Sequence, residues 1–195
     1  MYKYLSIIII LILLNFTVKA QSKTNFEIAD SLVRLSVKEY AQNLLEKTEY
    51  NFFFNSPNDY KIFSSTVVGE LKKNNININP TVSDSISYNL KEINTNYPEI
   101  IKDGFFGGYL VKREIKVKGL LFLKKKNKIT DFKEFNLTSQ NYVKYSDISV
   151  LENIAYSFTT AKLPDEPLLS SSIEPIIAIG TAAAVVYLFF NIRSK

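Results

Sequence analysis

Three residue types are missing from this chain of 195 residues: cysteine, histidine and tryptophan. Without cysteine, there can be no disulfide, no thiol nucleophile and no thiolate metal site. Without histidine, the chain lacks the commonest general base and the commonest metal ligand. Without tryptophan, any stacking of a sugar on an aromatic ring would depend on tyrosine or phenylalanine. These absences exclude disulfide scaffolds and the most frequent catalytic and metal-binding arrangements.

Catalytic motifs are also lacking. The sequence contains neither G-x-S-x-G nor S-x-x-K, which are signatures of serine nucleophiles. The segment Lys102–Gly108 places glycines beside aromatic residues, but no Gly-Lys-Ser/Thr follows, so it does not match a phosphate-binding loop. Its pattern favours a structural turn. The sequence therefore predicts a protein that is not an enzyme and that holds no cofactor and no metal.

The charge of the chain is unevenly distributed. The formal net charge is +5, from 24 basic and 19 acidic residues. Four of the basic residues and none of the acidic ones lie within residues 1–20 and 175–195. The segment between them is therefore nearly neutral, and the overall basicity does not indicate nucleic-acid binding.

The N-terminal segment has the features of a secretory signal peptide. Lys3 supplies a positive start, Leu5–Phe16 is a short apolar stretch, and Val18-x-Ala20 matches the small-residue cleavage pattern. Residues 1–20 are predicted to be removed after export. An uncleaved N-terminal anchor is the alternative.

A second apolar segment lies near the C-terminus. Residues 175–192 carry no charge, and a helix of this length reaches about 27 Å, close to the ~30 Å hydrocarbon core of a bilayer. Pro175 suits the first turn of a helix, Tyr187 can lie at the interface, and Arg193 favours the cytoplasmic side. The pattern predicts a transmembrane helix. A short helix docked in a groove is the alternative.

The two ends together predict a topology. An exported domain (21–162) is followed by a stalk rich in proline and serine (163–174), the anchor and a short cytoplasmic tail (193–195). The composition, rich in lysine, asparagine and isoleucine, favours a bacterium, with the domain in the periplasm and the anchor in the inner membrane. Gly180 and Ala184 have the spacing of close-packing membrane helices, which suggests a homo-oligomer through the anchor.

Hydrophobic periodicity within the domain changes between the helical and the strand repeat. The predicted helices are 25–46, 60–74 and 146–158, and the predicted strands are 50–54, 85–91, 109–125 and 129–138. Pro98 and three glycines predict a loop over 94–108, and Gly119 is a candidate β-bulge. Adjacent strands with helices elsewhere predict an α+β fold, with a small mixed or antiparallel sheet and helices packed on one face. The other face would meet solvent or a partner.

The densest positive charge lies on the predicted hairpin 109–138. It could contact anionic lipid or an acidic partner, or it could be a solvated hairpin that lysines protect from aggregation. The candidate interaction surface combines this hairpin with the preceding loop, and comprises Phe105, Tyr109, Lys112, Lys116 and Lys118.

The predicted function is that of an accessory, assembly or scaffold component of a bacterial envelope complex, which acts by protein contact. The alternative is a membrane-anchored module that binds a lipid or a small ligand. That alternative predicts a pocket between sheet and helices, lined by Phe52, Phe53, Tyr88 and Phe105.

Overall fold

The computed structural model describes residues 22–42, 44, 49–104, 107–126, 128–165 and 181. The helices are α1 (Asn25–Ala41), α2 (Phe63–Lys73) and α3 (Ile148–Leu151). The strands are β1 (Glu49–Asn55), β2 (Asn77–Ile78), β3 (Ser85–Lys102), β4 (Tyr109–Lys125) and β5 (Lys128–Lys144). The predicted α+β class is confirmed.

The strands form one curled, five-stranded mixed sheet in the order β2-β1-β3-β4-β5. β1 is parallel to both of its neighbours, whereas β3, β4 and β5 pair antiparallel. Parallel strands need a crossover connection, and α2 supplies it between β1 and β3. α1 contacts α2, β4 and β5. Side chains of α1 and α2 share one hydrophobic core with side chains of β3 and β4.

Most predicted elements are present with shifted ends. α1 begins where the pattern places it, because Thr24 and Glu27 form a capping box. β4 has the predicted bounds, and β5 continues beyond Thr138 to Lys144. The second helix begins later than predicted, after a separate 3-10 turn at Asn58–Tyr60. The two-residue strand β2 was not predicted.

β3 is longer than the sequence predicts. The loop expected over 94–108 is wrong for its first half, because the strand continues through Pro98 to Lys102. Thr95 and Tyr97 are 6% and 3% exposed, and their burial stabilises the extended chain. Pro98 lies at a register shift of the β3–β4 pairing, where a missing backbone N–H is tolerated.

The prediction of a last helix over 146–158 is also wrong. After a 3-10 turn the chain forms only the single helical turn of α3. Asp147 makes no capping hydrogen bond. The Thr159 hydroxyl accepts from the backbone N–H of Asn153 at 2.9 Å and lies 2.8 Å from its carbonyl oxygen. Such side-chain bonds compete with a helix, and Ile154, within the predicted helix, is 94% exposed.

The main hydrophobic core fills the space between the sheet and α1 and α2, and a smaller one lies near α3. Gly119 of β4 is required where the Phe135 ring crosses the strand. A Cβ at this position would collide with that ring and with the carbonyl oxygen of Asn89. The bulge predicted at Gly119 lies instead on the neighbouring strand. Gly119 pairs with Leu90 of β3, and the register shift falls between Leu90 and Glu92.

The predicted signal peptide and, apart from Thr181, the predicted anchor lie outside the described residues, and so does most of the stalk. The anchor residues concerned are Pro175, Gly180, Ala184, Tyr187 and Arg193. Within the part of the chain that the structure describes, no helix is both long enough and apolar enough to span a bilayer. The topology therefore stays a prediction.

Candidate functional site

The two faces of the sheet carry different side chains. In β4 the odd-numbered residues from Val111 to Leu123 are buried against the helices, whereas the even-numbered ones from Lys112 to Lys124 point away and are half-buried. None of the described helices packs against this second face, which we call the open face. It is the face that the sequence assigned to solvent or a partner.

Lys112 and Lys116 lie in the half of the open face that is nearer the β3–β4 turn, and Lys118 lies at the middle of β4. Lys118 Nζ is 2.8 Å from a carboxylate oxygen of Glu92, and Lys116 Nζ is 3.6 Å from one of Glu114. Lys112 lies opposite a glutamate of β3 in the strand register. Exposed pairs like these add only about 0–1 kcal/mol each, but they nearly cancel the positive charge of this half.

The other two predicted residues lie at or beside the β3–β4 turn. Tyr109 is half-buried at the start of β4, and Phe105 lies outside the described residues. Gly104 has a φ of +72°, a conformation that suits glycine. The backbone N–H of Asp103 donates to the carbonyl of Gly108 at 2.9 Å and closes the turn.

The other half of the open face carries three phenylalanines, which we call the aromatic row. Phe53 of β1, Phe122 of β4 and Phe132 of β5 lie in register across the sheet, with Ser87 of β3 between the first two. Phe53 is 49% exposed and Phe132 is 67% exposed. Ile129, 61% exposed, extends the apolar surface toward the β4–β5 turn.

Positive charge borders the aromatic row. Lys124 Nζ lies 5.4 Å from the centroid of the Phe122 ring, which is within cation–π distance. Lys128 follows at the β4–β5 turn. Unlike Lys116 and Lys118, these two lysines form no ion pair with any of the described residues. This end of the open face therefore combines exposed aromatic rings with uncompensated cations.

Sequence reasoning missed the aromatic row because single apolar residues at outward strand positions are normal on protein surfaces. The available signal was Phe122, which falls on the outward side of the β4 alternation. Phe53 and Phe132 belong to other strands, and only the strand register brings the three rings together.

The predicted aromatic pocket is not formed by its described members. Phe52 packs against the main core, whereas Phe53 lies on the open face. Tyr88 is 0% exposed. Its ring stacks at 5.7 Å on Phe54, and its hydroxyl lies 2.8 Å from the Ser36 hydroxyl. These contacts fill the position with core side chains.

A second distinctive feature lies on the inner face, where Arg113 is 1% exposed. Its Nε donates to Asn141 Oδ1 at 3.0 Å. Its Nη1 donates to the carbonyl of Lys23 at 2.7 Å and to Asn25 Oδ1 at 2.9 Å. Burial lowers the pKa of the Arg113 guanidinium, because the charged form loses its water.

These bonds belong to a buried network that joins distant parts of the chain. The Asn25 amide donates to the Tyr97 hydroxyl at 2.8 Å and to the carbonyl of Thr159 at 2.7 Å. Burial also raises the pKa of Tyr97 to about 12. The start of α1 is thereby fastened to β3, β4 and the 3-10 turn Ser157–Thr159.

The acceptors around Arg113 are all neutral oxygen atoms. Among the described residues, no carboxylate forms an ion pair with it. A fully buried charged side chain is normally paired, because leaving water is costly. A buried guanidinium with only neutral partners is therefore unusual.

Arg113 also lines an open pocket of about 330 Å³ between α1 and the inner face of β4 and β5. Its polar end is formed by Lys23, Arg113, Ser139 and Asn141. Ile28, Ser31, Leu32 and Leu35 of α1 also line it, so its α1 side is mainly apolar. The pocket was not predicted, because its members are distant in sequence and carry no motif.

The described residues contain no cluster of three or more acidic side chains that could hold a metal ion. The chain matches no protein-family model, and no curated protein is significantly similar to it.

Proposed function

We propose that the chain is a non-enzymatic accessory or assembly component of a bacterial envelope complex, and that it binds a partner protein through the aromatic row. In this proposal the domain is exported and the C-terminal helix (175–192) tethers it to the inner membrane. The apolar segments at the two ends support the topology, and the aromatic row supports the mode of action.

The observation that carries the proposal is the alignment of Phe53, Phe122 and Phe132 on a face that no described helix covers. Exposed apolar side chains that gather on one face, rather than lying singly, mark interaction sites on soluble domains. Burying one phenylalanine side chain stabilises a complex by roughly 1.5–3 kcal/mol. Aromatic residues that gather at the centre of an interface commonly provide most of its binding energy.

The surroundings of the aromatic row indicate the chemistry of the partner. The row ends on β5, an edge strand of the sheet, but its rings project from the open face, so the contact that we propose uses side chains rather than an added strand. Lys124 and Lys128 supply cations at its border. We expect a protein surface with apolar side chains at its centre and carboxylates around them, because complementary charge favours specific encounter.

Site-specific photo-cross-linking in cells tests this proposal on the full chain. A photoreactive phenylalanine analogue at position 132 should give one discrete protein adduct. The same analogue at position 138 should give none, since Thr138 lies on the same strand and face but in the charge-paired half. Phe122→Glu should abolish the adduct from position 132.

Binding of the identified partner then provides the quantitative test. Phe132→Ala should weaken it by about tenfold or more, the equivalent of ~1.4 kcal/mol, and Lys118→Ala should leave it unchanged. Equal adducts from positions 132 and 138 would contradict the proposal. An adduct of twice the chain mass would instead identify a second copy as the occupant, and a lipid adduct would identify the membrane.

A further inference from the structure

We propose that the pocket beside Arg113 binds a small organic anion, with a carboxylate or phosphate group at the polar end and an apolar part along α1. The pocket lies on the inner side of the sheet, and the aromatic row lies on the open face. This inference therefore does not depend on the protein contact proposed above.

The charged residues of the pocket lining are all cationic. Arg113 and Lys23 are the cations of the lining, which includes no carboxylate. Arg113 is 1% exposed, and its acceptors are neutral oxygens. Because low-polarity surroundings strengthen the attraction between charges, an anion would offset the cost of holding this guanidinium away from water.

Hydrogen-bond donors remain at the polar end. Within the described part of the chain, Nη2 of Arg113 has no acceptor, since the recorded bonds use Nε and Nη1. Asn141 accepts through Oδ1, which leaves its amide N–H groups as donors. Ser139 adds a hydroxyl, and Lys23, whose carbonyl accepts from Arg113, also lines the pocket. Oxyanions form short, charge-assisted hydrogen bonds with donors of these kinds.

The remaining wall sets the size and polarity of the rest of the ligand. Ile28 and Leu32 are each 8% exposed, and Leu35, at 42%, lies at the more open part. A volume of about 330 Å³ is at the small end of ligand pockets, which span roughly 300–1,000 Å³. The geometry suits an anionic head group with a short aliphatic chain, such as hexanoate or hexyl phosphate.

Calorimetric titration of the full chain in a neutral detergent tests the inference, with hexanoate, hexyl phosphate and inorganic phosphate as probes. Asn141→Asp is nearly isosteric and places a carboxylate beside Nε of Arg113. It should weaken hexyl phosphate binding at least tenfold without lowering the thermal midpoint. The matched control Asn136→Asp, which makes the same change on the open face of β5, should bind like the unmodified chain.

A second variant keeps the test independent of one substitution. Ser139→Asp adds a carboxylate to the same polar end and should cause the same loss of binding. Failure of all three probes to bind the unmodified chain would overturn the inference, and so would equal losses in Asn141→Asp and Asn136→Asp. Inorganic phosphate binding as tightly as hexyl phosphate would overturn the role of the apolar wall.

Vesicles containing an anionic phospholipid distinguish the source of the head group. If the pocket takes a soluble anion, Asn141→Asp should not change the amount of full chain that co-sediments with added vesicles. A co-sedimentation that Asn141→Asp reduces at least tenfold would overturn the soluble source and assign the head group to a lipid.

Discussion

Removing a single hydroxyl from two buried tyrosines should have opposite effects on stability. Tyr40 and Tyr88 are both 0% exposed. The Tyr88 hydroxyl lies 2.8 Å from the Ser36 hydroxyl, which in turn donates to the carbonyl of Val33 at 2.7 Å. The Tyr40 hydroxyl is buried and has no hydrogen-bond partner among the described residues. Tyr40→Phe and Tyr88→Phe therefore remove the same atom from two different environments.

The magnitudes follow from the hydrogen bonds. A buried hydroxyl without a partner costs about 1–3 kcal/mol, so Tyr40→Phe should remove most of this cost and stabilise the fold by about 1 kcal/mol. Tyr88→Phe loses a satisfied bond, with a net value of about 0.5–1.5 kcal/mol. For a domain of this size, 1 kcal/mol shifts the unfolding midpoint by roughly 2–4 °C. The two variants should therefore differ by about 4–8 °C.

Thermal unfolding of the full chain, followed by far-ultraviolet circular dichroism, measures this difference. Burial raises the pKa of Tyr40, and the nearby Asp131 carboxylate adds to the rise. The carboxylate does not meet the geometry of a hydrogen bond to the hydroxyl. If Tyr40→Phe lowered the midpoint as much as Tyr88→Phe, the reasoning would be refuted, and the Tyr40–Asp131 double variant would show whether this carboxylate is the missing acceptor.

Two further predictions concern glycine and pH. Gly119→Ala should destabilise the domain by about 1–3 kcal/mol or more, because the new methyl group meets the Phe135 ring and a backbone carbonyl. Gly69→Ala is the matched control, because position 69 lies in open space within α2, and it should stabilise the domain by about 0.5–1 kcal/mol. Equal shifts of the urea unfolding midpoint in the two alanine variants would contradict this steric explanation. The folded-state pKa of Tyr97 is raised to about 12, above its unfolded value of about 10. The contribution of its protonated hydroxyl to the free energy of unfolding is therefore fully present below pH 10 and is lost as the pH rises toward 12. Between pH 10 and pH 12, the free energy of unfolding should fall less steeply with pH in Tyr97→Phe than in the unmodified chain. An unchanged slope would refute the assignment of this pH dependence to Tyr97.

Arg113 has a structural role as well as the proposed binding role. Its bonds to the carbonyl of Lys23 and to Asn25 hold the start of α1 against β4. Replacing Arg113 would disturb the fold and the pocket together. Substitutions at Asn141 and Ser139 change the charge of the pocket while leaving the guanidinium in place, so they separate the two roles.

Local patterns in the sequence were sufficient for much of the fold. The alternation from Tyr109 to Lys125 predicted the bounds of β4 and which of its side chains face outward, because in a half-buried strand every second residue must be apolar. The capping pair Thr24 and Glu27 coincides with the start of α1. The α+β class followed from the order of these elements.

Only the tertiary structure decided the length of β3 and the location of both candidate sites. Burial of Tyr97 and pairing with β4 extend β3 through Pro98, against the local preference for a turn. The aromatic row depends on the register of strands that are distant in sequence, and Arg113 is buried because α1 packs over its end of β4. Neither register nor helix packing is written in a short-range pattern, because both depend on the combined burial of side chains from the whole domain.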